Sequence, residues 1–479
     1  MKRLLIFTIL LIVSSMIIAS CATPTTQVAT TEAPVAPATT EAPPATKAPV
    51  TSNKVKVTIF VGLGTGTDPG QMDQENALAA KFNASNDNIE LEFLFVPYEQ
   101  SRERYQAMIA GGTAPQLVGP LGIESAGQFL DTWEDLAPYI QKDNYDTTDF
   151  YGPAVSLNTY EGKNIGLPVG LYPSYIYYNK NAFDAAGVSY PTHDYNDKTW
   201  TIEKLRELAV QVTLDKNGKN ATSPDFDPIN ITQFGFDNSW DSLRGWMVMW
   251  APTNMGRPTS ADYKTAAVND TDWITGLQWY SDGIWKDHFM PDNAAISAMD
   301  PANGDLFAVG TDAMWMSNSW YLGLVPRDAF KWDIAPTPFN PKGVRISQVD
   351  ADVFGIPKDA KNKEEAWTVM KWLLEPENNL ELCKIYGCMP ARKSTEAAYR
   401  ALLKETYPDL DLDVIFNAAT YLDIPNHESW IPEYGTVNEA LLNAQSQILT
   451  ADQNHDAASV LNTTNADIQK ILDAYWSIH

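Results

Sequence analysis

Between Lys54 and Gly119 the chain spells out strand, helix, strand, helix, strand, and that order leaves few folds open. Lys54-Val55-Lys56-Val57-Thr58-Ile59-Phe60-Val61 alternates and then turns apolar, the pattern of a strand entering a core. Gly62-Leu63-Gly64-Thr65-Gly66-Thr67-Asp68-Pro69-Gly70 breaks it, and helical spacing runs from Gln71 to Phe82. Ile89 to Phe95 alternates as a second strand. Tyr105 to Ala110 closes a second helix, stopped by Gly111-Gly112, and Gln116 to Gly119 reads as a third strand. Such units make right-handed crossovers and a mostly parallel sheet, so an α/β fold is expected. Ligands of these sheets bind outside the carboxyl ends of the strands, which points at Thr65, Gly66 and the loop after Gly119.

The later chain changes character. Tyr175 to Asn179 is a strand-like aromatic run, and Thr201 to Leu214 a helix capped by Thr199 or Thr201. Trp residues crowd the stretch 234–332, and helical spacing then dominates at Asn362–Leu374, Glu377–Tyr386, Thr395–Glu405, Asn438–Leu449 and Ala457–Tyr475. A length of 479 residues suits two or three domains, and 44% hydrophobic against 20% charged residues gives a core rather than disorder. With 34 Lys+Arg against 60 Asp+Glu the formal net charge is −26, so nucleic-acid phosphate would repel the chain and no nucleic-acid partner is expected. Five His and three Cys leave little material for a zinc site or an iron–sulfur cluster; no metal and no cofactor is expected. The loop from Asp215 to Asp227 lacks the Gly and Glu that an EF-type calcium loop needs at its sixth and twelfth places, and reads as a polar surface loop.

The N-terminus says where such a body would sit. Met1-Lys2-Arg3 is basic, and the apolar run Leu4 to Ile18 falls short of a membrane span of roughly 20 residues. It ends in Ile18-Ala19-Ser20-Cys21, which resembles the lipobox of bacterial lipoproteins, cut before a cysteine whose sulfur takes the lipid. Residues 1–20 are thus expected as signal peptide and Cys21 as the lipidated residue. Residues 22–53 hold 9 Thr, 8 Ala and 6 Pro with no apolar period, the make-up of a disordered, Pro-stiffened tether. No later segment approaches a spanning run, so a lipid-anchored, extracytoplasmic body is expected.

Six segments in register resemble one family. Ile109-Ala110-Gly111-Gly112-Thr113-Ala114-Pro115 is similar to the A-x-G-T-A-P-D turn of extracellular solute-binding proteins, the receptor subunits of ABC importers, with Gln116 in place of the usual Asp. Gly162-Lys163-Asn164-Ile165-Gly166-Leu167-Pro168, then Tyr177-Tyr178-Asn179-Lys180, then Ala186-Gly187-Val188, are similar to its G-K-x-Y-G-L-P, Y-Y-N-K and A-G segments. Gly310-Thr311-Asp312-Ala313-Met314 with Trp320, Lys361-Asn362-Lys363-Glu364-Glu365-Ala366-Trp367 and Met389-Pro390-Ala391-Arg392 resemble its G-x-A-A-M, K-N-K-E-A-A-W and x-P-A-R motifs. The carbohydrate-type, maltose-binding-protein-like branch matches best. The resemblance implies two α/β lobes with a ligand cleft between them, one from 54–170 plus 345–425 and the other from 171–344 plus 426–479. It implies a monomeric receptor, a small carbohydrate as ligand and ABC permease subunits as membrane partners.

A sugar offers C–H faces and hydroxyl edges, so its site needs aromatic plates beside carboxylates or amides. Trp320, after the strand-like Ala313-Met314-Trp315-Met316, aligns with the family tryptophan that stacks on ligand. Trp240-Asp241 pairs a ring with a carboxylate at an expected strand end, against a competing reading as helical packing with Trp246 and Trp250. Tyr434 falls where the family puts a late aromatic, with Trp430 a near-equal substitute. Glu124 occupies a family contact loop, and Tyr172 and Asp350 lie on the expected lobe crossings. Thr65 and Gly66 serve either as ligand contacts or as a turn that needs glycine. Cys383 and Cys388, spaced C-x4-C at a helix end, fit a local disulfide or two buried thiols equally. No G-x-S-x-G, H-E-x-x-H or phosphate-loop motif occurs, so the chain reads as a binding receptor and not an enzyme. A secreted, tethered polysaccharide hydrolase and a peptide or polyamine receptor of the same fold are the alternatives.

Overall fold

A computed structural model describes residues 54–479 apart from 157, 240–241, 251–255, 327–328, 424–426 and 479. The expected signal peptide, Cys21, the tether, Trp240 and Asp241 all lie outside the described residues. The opening pattern forms as read: β1 (Val55–Val61), β2 (Ile89–Phe95) and β3 (Leu117–Leu121) alternate with α1 (Pro69–Ser85) and α2 (Tyr98–Ala110). β1 pairs in parallel with both β2 and β3. A capping box between Asp68 and Gln71 and a proline in the first turn start α1 two residues before the apolar spacing does. In α2 the first turns are polar, and the helix begins seven residues ahead of Tyr105, the first residue of the expected segment. A short helix, α3 (Ile123–Gln128), follows β3.

Beyond α3 the expectation of a mostly parallel sheet fails. β4 (Leu167–Asn179) is a strand of 13 residues, every one buried. Its second half pairs antiparallel with β5 (Met314–Asn318) and β6 (Trp332–Ala335). Its first half pairs antiparallel with β7 (Val349–Gly355) and β8 (Met389–Pro390). β7 lies antiparallel beside β3, which gives the path β6-β4-β7-β3-β1-β2. Only the first three strands are joined by simple helical crossovers; the later ones follow long excursions and re-enter from the opposite end.

Three apolar clusters lean on β4. Leu167, Val169 and Tyr172 join the first, with Val57, Ile59, Leu91 and Phe354. Ile176 and Tyr178 join the second, with Phe236, Trp246, Trp273 and Leu461. Leu171, Tyr175 and Tyr177 join the third, with Trp315, Tyr321 and Val349. Strand alternation sends neighbours to opposite faces, so one buried strand feeds all three clusters. Thr201 caps the helix Ile202–Val212 through its hydroxyl, which accepts from Lys204 N at 3.2 Å and settles the choice against Thr199. The second cluster also takes α4 (Leu243–Val248), whose six residues are all buried. Of the Trp in 234–332, Trp246, Trp250, Trp273, Trp279 and Trp315 are core residues.

The C-terminal helices form near the expected bounds: α5 (Lys363–Leu373), α6 (Pro376–Tyr386), α7 (Tyr434–Leu449) and α8 (Ala457–Trp476). A helix at Leu412–Ala418 has no counterpart in the sequence reading. The loop from Asp215 is a polar turn, as read: the Asp215 carboxylate accepts from the backbone of Asn217, Lys219 and Asp227. Among the described residues no helix is long and apolar enough to cross a membrane.

Candidate functional site

β4 and β7 set Tyr172 and Asp350 directly opposite one another in register. The Tyr172 hydroxyl donates to Asp352 Oδ2 at 3.3 Å. Asn318, at the end of β5, ties the two strands together: its Nδ2 donates to Tyr172 O at 2.8 Å and to Asp350 Oδ2 at 3.1 Å. The next residues, Ser319–Gly323, form a single 3-10 turn that carries Trp320, half-buried against the first and third clusters. Asp350 keeps 30% of its side chain exposed beside this turn, so a carboxylate and an indole are both open to a solute.

The carboxylates here lean on one cation. Arg244, in α4, is 2% exposed and places Nη1 3.4 Å from Asp350 Oδ1, Nη2 2.5 Å from Asp423 Oδ2 and Nε 3.2 Å from Glu428 Oε1. Burial disfavours its charge, but Asp423, Glu428 and Asp350 outweigh that and hold the guanidinium pKa above its ordinary value. Burial raises the pKa of all three acids against the pull of Arg244, that of Asp423 to about 8. Asp352 rises to about 7, first from burial and then from the nearby Asp350 charge. One guanidinium among so many buried carboxyls is a crosslink between α4, β7 and the segment before α7.

The glycine loop closes the other side. Gly66 has φ +107°, and a Cβ there would lie 2.7 Å from Val61 Cγ1 and 3.0 Å from Glu75 Oε1. The Gly66 N–H donates to Gln71 Oε1 at 3.1 Å. Gln71 Nε2 reaches Thr65 Oγ1 at 3.3 Å and Ile385 O at 3.2 Å. Beneath the loop, Glu75 is fully buried and accepts the Tyr386 hydroxyl at 2.6 Å. Burial pushes Glu75 up to about 8, opposed by that hydrogen bond. Cys383 and Cys388 are joined in a disulfide at the end of α6, and a Cβ on Gly387 between them would stand 3.7 Å from the Trp320 backbone.

Of the residues named from sequence, Tyr172, Trp320 and Asp350 meet around Asn318, and Thr65 with Gly66 meets them through Gln71 and the turn before Cys388. Tyr434 starts α7 but is only 7% exposed, packed in the second cluster within electrostatic reach of Arg244. Glu124 lies in the first turn of α3, whose Gly127 abuts the backbone of Ser429 so closely that a Cβ would collide with it. Sequence reasoning missed Arg244, Asn318, Asp352, Asp423, Glu428 and Glu75. Arg244 carried a signal, being the lone charge in the run Leu243 to Trp250. Among the described residues no group of three or more His, Cys, Asp or Glu is arranged to hold a metal ion. A groove of about 820 Å³ lined by Lys180, Trp332 and Tyr407 shares no residue with this site.

A mixed α/β body built on one long buried strand, with a half-buried indole and a part-exposed carboxylate beside it, has the fold of the two-lobed solute-binding proteins. Solved structures agree on the fold. An ABC substrate-binding protein from Listeria monocytogenes, in complex with cycloalternan, superposes with a TM-score of 0.71 at 21% identity over 88% of this chain and 99% of its own. The cyclic alpha-maltosyl-1,6-maltose binding protein from Arthrobacter globiformis gives 0.67 at 21% identity over 88% and 100%. A Brucella abortus chain named as a binding protein is 22% identical over 65% of this chain and 71% of its own. The chain belongs to the bacterial extracellular solute-binding proteins, whose family model matches residues 77–406.

Proposed function

We propose that this protein is the membrane-tethered receptor of an ABC importer, that it binds a mono- or oligosaccharide between two lobes, and that it hands the sugar unaltered to a permease. The observation that carries the reading is the setting of Asn318: it holds the part-exposed Asp350 carboxylate, and the turn that follows it carries the half-buried Trp320 ring two residues on. A ring takes the C–H face of a sugar and the carboxylate accepts from its hydroxyls. The cycloalternan and maltosyl-maltose names of the similar structures support the same ligand class.

In this reading one lobe comprises 54–170 plus 345–425 and the other 171–344 plus 426–479. The lobes close on the ligand because it touches both only in the closed state. Thr65, Gly66, Glu124, Trp240, Asp241 and Tyr434 complete the cleft. Cys21 carries the lipid, residues 22–53 give reach from the membrane, and the receptor acts as a monomer. The test is tryptophan fluorescence against a panel of linear and cyclic oligosaccharides, with the same mixtures assayed for released sugar. A saturable shift without product is expected; product, or no response to any member, overturns the reading. Trp320→Ala is expected to weaken binding by about 1–3 kcal/mol.

A further inference from the structure

We propose that the Cys383–Cys388 disulfide is a positioning element for the cleft, holding the turn Lys384–Gly387 against the Thr65–Gly66 loop and the Trp320 turn. The inference rests on the cleft reading above only in taking those residues to face ligand; the placement itself stands on contacts.

Every residue close to the bridge has a task. Its two sulfurs are fully buried under β4: Cys383 Sγ lies 3.5 Å from Val169 O, and a Cβ on Gly170 would collide with Cys388 Sγ. The bridge is therefore anchored on the strand that carries Tyr172, two residues further on. From that anchor the intervening turn reaches outward. Ile385 O takes the Gln71 amide that also holds Thr65 and, through its oxygen, Gly66. Tyr386 holds Glu75 under the same loop, and its ring edge would stand 3.4 Å from a Cβ on Gly66. Gly387, left-handed at φ +71°, backs onto the Trp320 turn.

The bridge joins the two ends of that turn covalently. A helix end leaves its last carbonyls without helical partners, and at the end of α6 the Gly387 N–H donates to Cys383 O. A second backbone bond, Cys388 N to Cys383 O at 3.1 Å, spans the same few residues. A disulfide with a sequence separation of 5 closes a very short loop, so it constrains the unfolded chain less than a long one does. Its effect is concentrated on the local geometry.

The experiment is hydrogen exchange and ligand titration on the full chain with Cys383→Ser and Cys388→Ser together. Exchange at 62–72 and 317–323 is expected to speed up about tenfold or more while 457–476 stays at the wild-type rate, and the affinity of the best oligosaccharide of the panel to fall by a similar factor. Acceleration spread evenly over the body, or none at 62–72, overturns the proposal. Should the double serine variant fail to fold, Gln71→Leu and wild-type protein reduced with a phosphine take its place. Gln71→Leu cuts the bridging amide alone and is expected to loosen 62–72; after it, reduction is expected to add little more there. Independent, additive effects overturn the proposal. If no sugar binds even wild-type protein, the functional reading fails while the exchange arm still judges the disulfide.

Discussion

Glu75→Gln isolates the cost of keeping a carboxyl under the Thr65–Gly66 loop. In the folded protein Glu75 is fully buried and its pKa stands at about 8 against an ordinary 4.5. A pKa raised by folding means that the native state keeps a proton which the unfolded chain gives up. The stability tied to Glu75 is then whole below the ordinary value and is lost as pH climbs from there through about 8. At about 1.4 kcal/mol per pKa unit, this loss reaches roughly 2–3 kcal/mol between about pH 5 and about pH 7. Glutamine cannot ionise, keeps an oxygen for the Tyr386 hydroxyl, and adds a buried NH2 whose cost of about 1–3 kcal/mol does not change with pH. The expected outcome of urea unfolding at several pH values is a variant that gains on wild type by roughly 2–3 kcal/mol over that interval, whatever its offset at the acidic end. A stability difference that stays flat with pH would show that Glu75 is ionised in the fold and would refute the reasoning.

Arg244→Met leaves Asp423 and Glu428 buried without their cation and is expected to cost about 3–5 kcal/mol in urea unfolding near neutral pH. The loss should shrink on acidification, as the acids take up protons. Gly66→Ala forces a side chain into left-handed backbone against Val61 and Glu75; a loss of about 1–3 kcal/mol is expected, with sugar affinity falling further. Cys21→Ser is expected to move the protein from the membrane fraction to the soluble fraction, read by fractionation and immunoblot. Asp350→Asn keeps the shape but weakens a hydroxyl acceptor, and is expected to reduce oligosaccharide affinity by about 1–3 kcal/mol in titration calorimetry.

What the sequence showed was local. β1 to β3 and their helices could be read because alternation, glycine breaks and helical spacing all act over a few residues. β4 could be read only in its aromatic second half. Its first half holds Pro168, Gly170 and Pro173, residues that argue against a central strand. The sheet admits them because β7 shifts register between Asp352 and Val353 and because β8 pairs at Gly170. Trp320, Tyr172 and Asp350 were named from the family resemblance, yet the tie that Asn318 makes between Tyr172 and Asp350 was not visible, since the two lie 146 and 32 residues from it. The acids around Arg244 come from two stretches far from it in sequence, and nothing local distinguishes Asp423 or Glu428 from surface acids in a chain of charge −26. Most of the Trp crowd of 234–332 serves the second cluster.

The buried strand Leu167–Asn179 has a thermodynamic side as well. Because it lends side chains to three clusters at once, melting any one of them strips the strand of part of its cover and weakens the other two. A calorimeter should therefore record a single cooperative endotherm for this body rather than a staircase, and damage placed on one flank should lower the melting of the whole.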